Sequence, residues 1–315
     1  MTRPDTFSKV RRALLCGIIA LPALALPIQD PIAKPKDALA DATAKFPWAG
    51  EELYFKITVN GAEAAHAVVR VGDVRMLKDQ PYVPLSAKAK SVGLFHSIYP
   101  MDDRANTFVN PLATFKPLRS EKIFKENGKG RTYKVDYNAT DYRAKIHKVY
   151  HPDAKHPKER ERNFSKAIPS GTHDALSWFF ELRSVEKYNE GDVISFFIED
   201  GWKLSRIDLT VIGEERVLTP MGWYTTTRFD FTRESLVARF TKDKDGNPIE
   251  PKLRVKKPAT PTGSVWLSND KKRLPVKISM GSTYGLGEVY LAKYTPAKKK
   301  SKTRTAKTSS PKKKP

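Results

Sequence analysis

Residues 53–71 read LYFKITVNGAEAAHAVVRV, and this stretch decides the fold class. Leu53, Phe55, Ile57 and Val59 alternate with Tyr54, Lys56 and Thr58, the period-two pattern of a strand with one buried face. Asn60-Gly61 follows, a pair favoured in two-residue hairpin turns because both positions need positive φ. Ala67, Val69 and Val71 then alternate on the return. The arrangement recurs at 192–212, where VISFFIE runs into Asp200-Gly201 and the chain comes back through Ile207, Leu209 and Val211.

Working outward, alternation and turn residues predict strands over 82–90, 93–100, 105–109, 114–124, 131–138 and 141–150. They predict more over 215–219, 223–231, 264–268, 274–280 and 286–293. In 223–231, Trp223, Thr225, Thr227, Phe229 and Phe231 share one face. One segment breaks the pattern. In 174–186 (DALSWFFELRSVE), Leu176, Phe179, Phe180 and the aliphatic stem of Arg183 fall at helical spacing. Thr172 or Asp174 is placed to cap its first turn. Many short strands with one amphipathic helix predict a mainly β fold: a large antiparallel β-barrel or half-barrel, with a β-sandwich as the alternative. One or two short helices accompany it, the main one laid over the sheet or barrel mouth.

The flanks read differently. Residues 1–12 (MTRPDTFSKVRR) are basic, 13–26 (ALLCGIIALPALAL) are apolar, and Ala23-Leu24-Ala25 places small residues at a cleavage site. This order predicts a secretory signal peptide over 1–25, cleaved near Ala25, and a periplasmic or cell-envelope location. The apolar run is too short to cross a ~30 Å hydrocarbon core comfortably. The one cysteine, Cys16, lies inside the leader, so the mature chain would have no disulfide. Leu15 before it is a poor fit to a lipoprotein signal. Residues 26–45 read as a linker with a short helix at 37–44, residues 46–294 as the β domain, and residues 295–315 as a disordered Lys-rich tail.

The formal charge is +22, of which 1–25 hold +3, 295–315 hold +9 and the remainder +10. Such a surface favours anionic partners. The tail cations Lys298, Lys299, Lys300, Lys302, Arg304, Lys312, Lys313 and Lys314 are expected to hold an anionic envelope polymer or membrane surface. The tail lacks the aromatic groups on which single-stranded nucleic acids stack, so nucleic acid is disfavoured. The 15 Phe, 12 Tyr and 5 Trp either fill the β domain or line a cavity for a lipid or other hydrophobic small molecule.

Chemistry-bearing clusters each have a plainer explanation. His147, His151 and His156 with Asp153 resemble a metal site, but Pro152 and Pro157 break the segment and lysines surround it, so a solvated basic loop is favoured. Ser170, His173, Asp174 and Ser177 suggest hydrolytic chemistry, yet capping at a helix start accounts for them. Asp102-Asp103 beside Arg104 read as a turn with a local ion pair, and Asp243-Lys244-Asp245-Gly246-Asn247 as a turn. No metal or cofactor is expected. Trp266, Asp270 and Arg273 stand out with Asp174 and Arg183, as residues of a ligand cavity or of a structural motif. An Asp270–Arg273 ion pair would close their hairpin. A hydrolase acting on an anionic glycan or phosphoester would work through Asp102, Asp174 or the histidine cluster. A structural envelope protein is the other alternative to a binding protein.

Three ordered stretches also resemble a known family. They are Gly50-Glu51-Glu52-Leu53-Tyr54-Phe55, then Asp174-Ala175-Leu176-Ser177 with Leu182-Arg183, and finally Val265-Trp266-Leu267-Ser268-Asn269-Asp270 with Arg273-Leu274-Pro275-Val276. Together they are similar to the uncharacterised bacterial family called domain of unknown function 3108, over about 46–294. The resemblance implies an exported, envelope-associated antiparallel β protein and assigns no activity or ligand. The basic stretch 151–166 and the Lys-rich tail depart from the family pattern.

Overall fold

The computed structural model describes residues 35–282 and 285–297. The leader and the tail cations fall outside them. After helix α1 (Pro35–Lys45), the chain forms β1 (Glu52–Val59), β2 (Ala62–Val71), β3 (Arg75–Leu77) and β4 (Gln80–Ser91). Helix α2 (Gly93–Ile98) precedes β5 (Asp102–Asn110), β6 (Lys116–Glu126), β7 (Lys129–Asn138), β8 (Arg143–Tyr150) and β9 (Arg160–Ala167). Helix α3 (Ser177–Ser184) then leads to β10 (Val193–Glu199), β11 (Leu204–Thr219), β12 (Gly222–Lys242), β13 (Pro248–Ser268), β14 (Pro275–Ser282) and β15 (Gly285–Thr295).

All fifteen strands belong to one antiparallel system. Its order is β10-β11-β12-β13-β14-β15-β1-β2-β4-β5-β6-β7-β8-β9, with β3 beside β4. The two chain-ordered runs join where β1 pairs with β15, Phe55 opposite Leu291. The first hairpin forms as its sequence dictates: Asn60 and Gly61 take φ of 49° and 81°. β9 and β10 remain as edges, and the segment after β9 partly spans the gap between them. His173 forms a single parallel bridge with Ile198, donating its N–H to Phe197 O at 2.7 Å and accepting from Glu199 N at 3.0 Å. The result is an incompletely closed sheet, a half-barrel.

Several local expectations need correction. Residues 93–98 are helical, because Gly93 at φ 54° turns the chain out of β4. The apolar residues that suggested a strand there, Leu94 and Ile98, are exposed. The central helix is shorter than 174–186. Asp174 Oδ1 accepts from the amides of Leu176 and Ser177, while Ser177 Oγ accepts from Asp174 N, so these residues form the turn that leads into it. The basic stretch after β8 contains β9, a charged edge strand of the kind that resists pairing with other chains. On the face of β12 that carries Trp223 to Phe231, Phe229 and Phe231 are buried while Trp223 is 61% exposed.

Four apolar clusters hold the sheet among the described residues. Trp178 and Leu182 of α3 pack with Phe196, Leu209, Phe229 and Val265, while Phe180 joins Phe46, Trp48, Phe115 and Leu85. The helix is therefore a plug inside the curled sheet rather than a lid over it. Each such buried side chain contributes about 1.5–3 kcal/mol. A third cluster forms where β11 bends. The register slips between Val211 and Gly213, and Val217 lands against Phe55, Trp266, Val276 and Leu291.

A buried ion pair locks the plug in place. Arg183 Nη2 donates to Glu51 Oε2 at 3.0 Å and to Lys272 O at 2.9 Å. The guanidinium lies 4.7 Å from the Trp48 ring centre and 5.4 Å from that of Phe180. Glu51 Oε1 accepts from Tyr294 OH at 2.8 Å. Burial lowers the Arg183 pKa, and the Glu51 carboxylate opposes that fall. Breaking one side of such a pair leaves an uncompensated buried charge, at a cost of about 3–5 kcal/mol. Arg183→Met and Glu51→Gln should each lower stability in urea unfolding by about that amount, and the double variant by clearly less than their sum. Strictly additive losses would show that the two side chains do not act as a pair.

Candidate functional site

The seam between the two sheet edges gathers several basic side chains around one turn. The β10–β11 turn is built by Asp200, whose Oδ1 accepts from Trp202 N and Lys203 N, each at 2.9 Å. Gly201 supplies the positive φ of 84° that the turn requires. Trp202 is left 63% exposed, with Lys203 Nζ 5.0 Å from its ring centre. Beneath the turn lies the fully buried Glu199. Its carboxylate receives Lys166 Nζ at 3.0 and 3.1 Å and Gly201 N at 2.8 Å. Lys166 also donates to Trp202 O at 2.9 Å. One lysine thus ties the end of β9 to the end of β10. Burial raises the Glu199 pKa, with Lys166 opposing.

Beside this tie, a cleft of about 470 Å³ runs between the end of β9, the β10–β11 turn and the paired strands β12 and β13. Lys166, Lys203, Lys256 and Lys257 line it with Trp202 and Phe240, and no carboxylate is among the described lining residues. Lys203, Lys256 and Lys257 make no ion pair with any described carboxylate. Register shifts on either side of Ser235, which pairs with Lys257, break the regular β12–β13 ladder at the cleft. The Lys203 pKa is lowered first by burial and then by the neighbouring cations Arg233 and Lys257. Phe240 is half-exposed, with Arg143 4.7 Å from its ring centre. Three of the four lysines, Lys203, Lys256 and Lys257, therefore present positive charge without an ion-pair partner next to two accessible aromatic rings, while Lys166 is spent on Glu199. A larger recess of about 1060 Å³, on the face of β2 to β9 that carries their charged side chains, differs in kind. Its charges are largely spent on one another: Arg70 pairs with Glu52 at 2.7 Å, Arg119 with Asp136 at 2.5 Å and Lys134 with Glu121 at 3.5 Å.

The residues singled out from sequence fall elsewhere. His147 pairs with Glu161 at 3.2 Å, His151 with Glu159 at 3.1 Å and His156 with Asp153 at 3.2 Å, so the three histidines are separately engaged. Among the described residues no group of three metal-ligating side chains converges. His173, Asp174 and Ser177 do come together. Ser177 Oγ lies 3.0 Å from His173 Nδ1, and His173 Nε2 lies 2.6 Å from Glu181 Oε2, a carboxylate that sequence reading missed. Ser177 and His173 are both buried, and the serine oxygen also accepts the Asp174 amide, so the row closes the turn before α3. Asp174 additionally accepts from Thr107 Oγ1 at 2.5 Å, which ties α3 to β5.

Trp266 is buried and donates Nε1 to Glu215 at 2.9 Å, flanked by Lys277 and Arg228. Asp270 accepts from Ser268 Oγ at 2.6 Å, and its backbone carbonyl accepts from Arg273 N. The expected Asp270–Arg273 ion pair is not formed. Arg273 turns away to donate to Glu186 O and to stack 5.0 Å from the Tyr188 ring centre. Asp102 makes its local ion pair with Arg104 at 3.5 Å. Its neighbour Asp103 is pushed up to a pKa of about 7 by burial and by Glu126 beside it. The cleft lysines and Trp202 carried no sequence signal beyond the Asp200-Gly201 turn, because four separate segments bring them together.

Two outcomes test these assignments. Asp174→Ala strips a buried acceptor from one hydroxyl and two amides, so it should cost about 3 kcal/mol or more in chemical denaturation. That exceeds the ~1 kcal/mol of a simple lost cap. For Asp103, the folded chain keeps its proton up to about pH 7 and the unfolded chain only to about the ordinary value of 3.8. The folded state binds more protons between these limits, so stability should fall as pH rises from about 4 to 7. Asp103→Asn should flatten that fall, whereas an unchanged pH profile would show that Asp103 titrates normally.

The chain is similar to the β-barrel-like protein of domain of unknown function DUF1849 from Brucella abortus, at 12% identity and TM-score 0.43, over 80% of this chain and 99% of that one. It also aligns with a Bacteroides fragilis structure with a YmcC-like fold, at 12% identity and TM-score 0.29, over 78% and 96% of the two chains. No curated protein matches the chain. The family model described as Protein of unknown function (DUF3108) matches residues 54–292, from β1 through β15, and the chain belongs to that family.

Proposed function

We propose that the protein is an exported cell-envelope protein that binds an anionic envelope polymer in the seam cleft, with the Lys-rich tail adding further attraction. One observation carries this reading: Lys203, Lys256 and Lys257, none of them paired with a described carboxylate, line the cleft with two accessible aromatic rings, while Lys166 is held by Glu199. Cations attract the polymer's carboxylates or phosphates, and the Trp202 and Phe240 rings offer flat faces for sugar or acyl carbons. Export rests on the basic–apolar–small order of residues 1–25.

Carriage of a lipid inside the barrel has less support. The space that such a ligand would fill holds α3 and the Phe46–Trp48–Phe115–Phe180 cluster, with ring centres 5.4–5.8 Å apart. Hydrolysis would need a reactive group open to substrate, and Asp174 and Ser177 are both fully buried.

Titration calorimetry of the mature protein with a polyuronate, with neutral dextran as control, tests the proposal. Binding should be specific to the polyuronate and weaken with added salt. K203Q/K256Q/K257Q should lose about tenfold or more in affinity, equivalent to ~1.4 kcal/mol. Equal affinity of the triple variant, or equal binding of dextran, would contradict it. Binding to anionic phospholipid vesicles but not to polyuronate would replace the polymer with a membrane surface. N-terminal sequencing should find the mature chain starting at Leu26, and full-length protein retaining Met1 in the cell interior would remove the envelope from the account.

A further inference from the structure

A smaller, partly open chamber of about 170 Å³ lies between β6, β7, the turn before α3 and the β10–β11 turn. Lys122 points into it from β6, where it sits opposite Ala105 of β5 and Tyr133 of β7. The side chain is 2% exposed, and its Nζ donates to no acceptor. Arg131 Nε, on the same wall, is also shielded and unbonded. The two nearby carboxylates are otherwise engaged. Glu126 holds Arg131 Nη2 at 2.9 Å. Asp200 holds the Trp202 and Lys203 amides and reaches Arg233 Nη2 at 3.4 Å. The remaining wall is largely aromatic, formed by Phe124, Tyr133 and Trp202 with Ala175.

A shielded ammonium without an acceptor costs several kcal/mol, and an anion brought into the same low-dielectric space offsets that cost. Two cationic donors on one wall suit a two-oxygen acceptor, and aromatic rings suit a short apolar body. At roughly 30 Å³ per small group, the chamber has room for about six non-hydrogen atoms. We propose that this chamber binds a short-chain carboxylate, with Lys122 and Arg131 facing the carboxyl group and Phe124 and Tyr133 enclosing the chain. The chamber shares the Trp202 ring with the polymer-binding cleft but uses different cations, so the two proposals are tested separately.

The test is calorimetric titration of the full chain with sodium butyrate in low-chloride buffer. Saturable one-to-one binding is expected, weakened at least tenfold by Lys122→Met. K203Q/K256Q/K257Q should bind butyrate as the wild type does, which separates the chamber from the cleft. Lys122→Met without butyrate should melt at or above the wild-type temperature, because it removes an unpaired buried charge. If that variant does not fold, Arg131→Gln is read in its place with the same tenfold criterion. Absence of saturable butyrate binding to the wild type, or unchanged affinity in the folded variant, would overturn the proposal.

Discussion

A guanidinium held inside an aromatic interior fixes this architecture. Arg183 joins α3 to Glu51, 132 residues earlier, and to the Lys272 carbonyl, 89 residues later. Through Glu51 it also reaches Tyr294 on β15. The first strand, the internal helix, the β13–β14 turn and the last strand therefore meet at one charge. A buried ion pair adds little net stability over an apolar replacement, but it penalises any arrangement that separates its members. That penalty specifies one position for a helix that could otherwise slide along an apolar sheet face. The three stretches that carry the family resemblance supply Glu51, Arg183 and the 269–273 turn. Their shared physical role is this joint.

The hairpins were legible because two local signals coincide in them, period-two alternation and a turn pair that accepts positive φ. Asn60-Gly61 takes positive φ at both positions, and in Asp200-Gly201 the glycine alone does. Legibility ended where those signals were missing. β9 is almost wholly charged and exposed, so it shows no alternation, although an edge strand of that composition is physically sensible. The outer parts of β12 and β13 were also missed. Pro251, Pro258 and Pro261 argue against a central strand, and here they sit, Pro251 buried and the other two exposed, on a ribbon broken by register shifts. Residues 93–98 misled in the other direction, since a short apolar run does not distinguish a strand from one turn of helix.

The site was less legible than the fold for the same reason. Asp174, Arg183 and Trp266 stood out as residues of a ligand cavity or of a structural motif; in the fold their hydrogen bonds tie separate elements together. The cleft draws Lys166 from β9, Trp202 and Lys203 from a turn, Phe240 from β12 and Lys256 and Lys257 from β13. No spacing in the sequence encodes that meeting, because it arises only when the sheet curls until its two edges face each other. The charge surplus was visible in the composition. Where it goes unpaired depends on which lysines find carboxylates, as Lys166 and Lys134 do and Lys203 does not.

Hydrogen–deuterium exchange resolved at α3 tests the central claim most directly. If α3 is an internal plug locked by Arg183, the amides of Glu181 and Leu182 should exchange only through global unfolding, as slowly as those of Leu53 and Leu291 in the paired strands β1 and β15. Exchange of the α3 amides at a rate well above those strands would mean that the helix opens on its own, and the ion pair would not be what holds this sheet in its curled form.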